Sequence, residues 1–230
     1  MVSKSGVTMS TYQLMSEADV YEAENSFYLQ SRPSRMAKLL AHYELYRQIT
    51  DLPGAVIELG VYKGASFMRF ASFRDLLENT HSRPLIGFDA FGSFPREGVE
   101  GAADRSFIER FEAAGGEGIA RDDLETLLLA KGFGNTELVE GNIFQTLPDY
   151  LERHPALKVA FLHLDVDVYE PTAFALDMLL PRMVRGSLVV FDDYGLVDGA
   201  TRAADEACAR LGVRMAKLSN YVIPGYFRMP

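Results

Sequence analysis

The 230 residues are enough for one sizeable hydrophobic core, and a composition of 48% hydrophobic and 24% charged residues argues against a disordered chain or a coiled coil. A formal charge of -9 disfavours broad contact with nucleic acid or anionic lipid, which rely on clustered Lys and Arg, but leaves an anionic small substrate open. No uncharged apolar run reaches the ~18 residues of a membrane span, Met1 to Ser10 lacks a signal-peptide pattern, and the one cysteine, Cys208, excludes an intrachain disulfide, so a cytoplasmic protein without nucleic-acid or membrane partners is expected.

The first fifteen or so residues have no clear periodicity and are expected to be mobile, with order beginning near Ser16. Glu24 to Tyr28 is an aromatic and polar cluster, expected to pack on the core rather than close over a site. From Ser34 to Thr50, Met36, Leu39, Leu40, Tyr43, Leu45 and Tyr46 recur at helical spacing, and Asp51-Leu-Pro-Gly54 breaks that helix. Residues 1–50 thus read as a helical extension of a single domain. Ala55 to Ser66 follows as one buried strand, a glycine turn and the start of a helix. Gly60 and Gly64 let the backbone turn sharply and approach a bound group, although Gly-x-x-x-Gly falls short of the dinucleotide fingerprint. Glu58, a carboxylate inside the strand, is expected to face the ligand end.

Ser66 to Asn79 continues as the crossover helix, and Pro84 to Asp89 is the second strand. It ends in an acid at about the interval where nucleotide-binding α/β proteins hold ribose hydroxyls. Residues 91–134, rich in glycine and short charged helical pieces, form a candidate lid. A third strand from Glu137 ends near Gly141, with Asn142 on the same ligand edge. Val159 to Tyr169 reads as a buried strand ending in Asp165 and Asp167, followed by a helix from Pro171 or Thr172. Ser187 to Phe191 is the next strand, ending in Asp192 and Asp193. Four acids at adjacent strand ends repel one another unless a hard cation such as Mg²⁺, Ca²⁺ or Mn²⁺ joins them. Strand alternation would put His163 on the same side as Asp165. Thr201 to Leu211 is an Ala-rich helix, and Arg214 to Leu218 with Tyr221 to Arg228 resemble a closing pair of strands.

With Glu58-Leu-Gly-Val-Tyr-Lys-Gly-Ala-Ser66, Leu164-Asp-Val-Asp-Val-Tyr-Glu-Pro-Thr172 and Val189-Val-Phe-Asp-Asp-Tyr-Gly195, the chain resembles the class I S-adenosylmethionine-dependent methyltransferases. The closer resemblance is to the metal-dependent macrocin O-methyltransferase (TylF/MycF-like) family, over roughly Asn25 to Phe227. The resemblance implies an α/β, Rossmann-like doubly wound sheet of seven strands, the last antiparallel. It implies that Glu58, Gly60, Val61, Tyr62, Gly64 and Ser66 surround the methionine end of S-adenosylmethionine, that Asp89 holds the ribose, and that Gly141 and Asn142 lie near the adenine. It further implies Mg²⁺ on Asp165, Asp192 and Asp193, a sugar-containing acceptor and a homo-oligomer. Asp165 is the first candidate to take the hydroxyl proton, with Asp167 and His163 behind it. A catechol-type acceptor, a non-catalytic cofactor-binding module and an NAD-dependent dehydrogenase are the competing readings.

Overall fold

The computed structural model describes residues 14–230, so what was expected of residues 1–13 lies outside it. The five residues of β1 (Ala55–Leu59) are all buried. That burial on both faces is what a central parallel strand requires. β1 lies between β2 (Leu85–Asp89) and β4 (Val159–Leu164), in register Ile57 to Ile86 and Glu58 to His163. β3 (Thr136–Glu140) extends one edge; β5 (Met183–Phe191), β7 (Gly225–Arg228) and the two-residue β6 (Ala216–Lys217) extend the other. The seven strands run in the order β3-β2-β1-β4-β5-β7-β6, with β7 antiparallel to both neighbours. This is the doubly wound sheet that the resemblance implies.

Helices cover both faces. Leu45 and Tyr46 of α2 (Pro33–Arg47), Phe67, Phe70 and Phe73 of α3 (Ala65–Leu77), and Leu124 and Leu128 of α5 (Arg121–Ala130) pack with Val56, Phe161 and Val190 on one face. α6 (Ile143–Arg153), α7 (Tyr169–Leu179) and α8 (Asp198–Leu211) pack with Ile57, Leu59, Leu162 and Leu164 on the other. The period of two along a strand therefore sends Glu58 and His163 toward α2 and α3, not toward α7. Phe67 and Phe70 have no exposed surface, and each such burial contributes ~1.5–3 kcal/mol.

Four expectations need correction. β4 ends at Leu164 rather than Tyr169, because Asp167 has a left-handed φ of 60° that no pleated strand accommodates. α7 accordingly begins at Tyr169, with Pro171 inside its first turn, where its missing N–H is harmless. The 91–134 insertion contains α4 (Ala102–Gly115) and α5, and α5 is a core crossover helix, so only residues 91–120 are left to stand over the sheet edge. Finally, α1 (Glu17–Gln30) buries no residue, and Tyr28 is 58% exposed, so the Glu24–Tyr28 cluster does not pack on the core. Among the described residues, no helix is long and apolar enough to cross a membrane.

Candidate active site

The carboxyl ends of β1, β2, β4 and β5 open into a cavity of about 540 Å³, a size that suits a small molecule. Gly60 shapes its floor. At φ 85°, a Cβ on Gly60 would sit 1.9 Å from the backbone oxygen of Asp165, so only glycine lets the β1 turn touch the end of β4. The close approach is to protein, not to a ligand.

Asp89 ties the β2 end to that turn. Its Oδ2 accepts from the N–H groups of Val61 (2.6 Å) and Tyr62 (2.9 Å), and its Oδ1 from Phe91 N–H (2.6 Å). Oδ1, with a single donor, keeps lone-pair capacity for a ligand hydroxyl. Gly60, Val61, Tyr62, Ser66, Asp89, Gly141 and Asn142 all line the cavity. Glu58 and Gly64 do not line it. Gly64 caps α3 against Leu124, and Glu58 is fully buried with its Oε1 2.9 Å from His163 Nδ1. Both therefore support the glycine turn from behind.

The four acids separate into two groups. Asp165, Asp167 and Asp193 bring carboxylate oxygens within 4.8 Å of one another on the cavity wall. Asp192 also reaches the wall, but its carboxylate turns toward α2. There Lys38 Nζ donates to its Oδ2 at 2.5 Å, while the Nε2 atoms of His42 and His163 lie 3.6 Å from its Oδ1. Both contacts are longer than a hydrogen bond of normal length. His163 is fully buried and absent from the cavity wall, which corrects its place among the proton acceptors. The expected alternation with Asp165 fails because the strand has already ended.

The electrostatics follow this division. Burial and the charges of Asp192 and Asp193 push Asp165 well above the usual carboxylate range, and burial with Asp165 and Asp192 does the same to Asp167. Burial, Asp167 and Asp192 push Asp193 up to about 8. Burial alone would raise Asp192 as well, but His163, His42 and Lys38 hold it well below the usual range. Burial opposes the charged form of His163, yet Asp192 and Glu58 raise it to about 10; burial lowers His42 to about 4. Asp193 Oδ2 and Asp192 Oδ1 are buried without a hydrogen-bond partner. Crowded acids with unmet oxygens fit a hard divalent cation.

Lys38, His42, Arg35 and Arg69 escaped the sequence reading. Their signal was present, since Arg35, Lys38 and His42 fall at i, i+3 and i+7 on α2, one face of a helix. What the sequence lacked was the partner strand end. The 91–120 segment is tied to the same turn. Tyr62 Oη and Lys63 Nζ both donate to Gly115 O at 2.7 Å, and Ile119 N–H donates to Tyr62 O at 2.7 Å. Asn142 caps α6 and donates from Nδ2 to Glu97 O at 3.3 Å. Phe94 and Phe111 line the cavity from this segment.

A doubly wound seven-stranded sheet with β7 reversed, a glycine turn after β1 and an acid closing β2 on that turn define a class I methyltransferase fold. Solved structures agree. Calicheamicin methyltransferase CalS11 superposes with a TM-score of 0.68 at 27% identity, over 93% of this chain and 86% of that one. Residues 32–218 match the macrocin O-methyltransferase (TylF) family, and the chain belongs to that family. Among curated relatives it is 26% identical, over 70% of its length, to the 8-demethyl-8-(2,3-dimethoxy-alpha-L-rhamnosyl)-tetracenomycin-C 4'-O-methyltransferase of Streptomyces olivaceus. It is 28% identical, over 71% of its length, to the demethyldecarbamoylnovobiocin O-methyltransferase of Streptomyces niveus. The matches span 60% and 61% of those two relatives.

Proposed function

We propose that the chain moves a methyl group from S-adenosylmethionine to a sugar hydroxyl, assisted by Mg²⁺. The observation that carries this is the placing of a hard-cation acid cluster and a methyltransferase cofactor turn on one cavity. The names of the S. olivaceus relative and of CalS11, a TDP-rhamnose 3'-O-methyltransferase, support a sugar acceptor. Asp165, Asp167 and Asp193 would hold the metal, with Asp192 beside them. The chemistry Mg²⁺ supplies is the lowering of a hydroxyl pKa toward neutrality.

The chain's own residues do the rest. Asp89 orients the ribose while pinning Val61 and Tyr62. Asp165, on the wall next to the turn, takes the proton from the acceptor hydroxyl, with Asp167 as the second candidate. Glu58 and His163 act as positioning residues that fix Asp192 from inside the core. Residues 91–120 act as the lid that excludes water. Exposed Tyr21, Tyr28 and Leu29 on α1 support assembly into a homo-oligomer, which light scattering tests.

The deciding experiment is calorimetric titration of S-adenosylmethionine and then Mg²⁺ into the chain and into D165N/D193N. Retained cofactor binding with loss of the metal signal and of sugar methylation supports the reading. Cofactor binding and full methylation in excess chelator would sink the metal assignment.

A further inference from the structure

Two guanidiniums on the cavity wall have no use in this scheme. Arg69 lies one turn after Ser66 on α3, and Arg35 one turn before Lys38 on α2; both line the cavity. Among the described residues, neither side chain makes a hydrogen bond or an ion pair, although Lys38 next to them is spent on Asp192. They are also close enough to repel. Burial and the charge of Arg35 push Arg69 down from its ordinary value, against the pull of Asp192 and Glu58. A chain of net charge -9 thus keeps two unpaired cations side by side on one wall.

The other charged groups beside them are engaged: Glu58 pairs with His163, and Lys38 with Asp192. Among the described residues, Arg35 and Arg69 are left as two neighbouring cations without an anion. A sugar held through a nucleoside diphosphate brings two negative charges, and guanidinium forks suit phosphate oxygens. The cofactor's lone carboxylate, already offset by its ammonium, leaves this pair unmatched.

We propose that Arg35 and Arg69 form an anion subsite for the diphosphate of a nucleotide-linked sugar. The acceptor is then the activated sugar, and methylation precedes the glycosyl transfer that consumes it. This rests on the methyltransferase reading above.

The test is calorimetric titration of TDP-glucose into the full chain saturated with S-adenosylhomocysteine and Mg²⁺, with methyl glucoside as the uncharged control. The expected result is binding of TDP-glucose but not of methyl glucoside, weakened by added salt and reduced roughly 10- to 100-fold or more in R35Q/R69Q, with S-adenosylhomocysteine affinity unchanged. Equal binding by the variant overturns the proposal, as does failure of TDP-glucose to bind a chain that does bind S-adenosylhomocysteine. If the variant loses S-adenosylhomocysteine but keeps 5'-methylthioadenosine, which lacks the amino-acid end, the guanidiniums serve the cofactor carboxylate and the proposal falls. If S-adenosylhomocysteine does not bind the unaltered chain, the methyltransferase reading itself has failed.

Discussion

Replacing Gly60 by alanine separates the two demands made on the cofactor turn. One is backbone conformation, since a left-handed φ of 85° costs an L-residue ~1–2 kcal/mol. The other is contact. The added Cβ would fall 1.9 Å from the Asp165 oxygen, whereas ordinary contacts begin at 3.4 Å, so the turn or the Asp165 loop must shift by more than an ångström. Overpacking of that kind adds ~1–3 kcal/mol. Gly195 provides the control, with φ 79° and nothing within 4 Å of an added methyl group. In a chain of this size each kcal/mol moves Tm by ~2–4 °C. Thermal melting followed by circular dichroism should show G195A lower by ~4 °C and G60A by ~10 °C. The shift should also displace Asp165, so Mg²⁺ affinity should fall in G60A and hold in G195A. Equal melting temperatures for the two variants would refute the close-contact argument.

Without metal, stability should fall as pH rises from 6.5 to 8. Asp193, folded at about 8, and His163, at about 10, both hold protons there that the unfolded chain has released. The low values of Asp192 and His42 have their effect below that window. Urea melts across the range check the slope, and Mg²⁺ should flatten it; a metal-free slope of the opposite sign would refute the assignment. At the other end of the sheet, Arg83 pairs with Glu78 at 2.8 Å and donates to Ile49 O and Leu52 O at 3.0 Å, so R83A should lose ~3–5 kcal/mol in urea unfolding. A loss below ~1 kcal/mol would show that this clip is not structural. Tyr62→Phe removes the hydroxyl bond to Gly115 O at a cost of ~1 kcal/mol, and hydrogen exchange should rise in residues 91–120 while the sheet stays protected. Unchanged exchange in that segment would mean that Tyr62 does not hold the lid.

The sheet was legible in the sequence because its signals are local. Val56-Ile-Glu-Leu59 and Leu85-Ile-Gly-Phe88 are apolar runs bounded by glycine, proline or acid, and each became a strand where expected. The glycine turn after β1 and the acid that ends β2 were legible for the same reason, since both sit at strand ends marked by local residues. Boundaries were less so: nothing local in Leu164-Asp-Val-Asp-Val-Tyr169 marks the left-handed Asp167 that stops β4. Nor does the 91–134 stretch announce that Leu124 and Leu128 belong to the core while Phe94 and Phe111 face the cavity.

What only tertiary structure decided was the division of labour among the acids. By sequence alone Asp192 and Asp193 are equivalent neighbours. In the fold, the Asp192 carboxylate lies under α2, where Lys38 and two histidines hold it charged, and Asp193 is left with Asp165 and Asp167. Residue types and strand periods are fixed along the chain. Desolvation and the charges that face a carboxylate come from other segments, among them Lys38, 154 residues from Asp192, and those set the charge each acid carries.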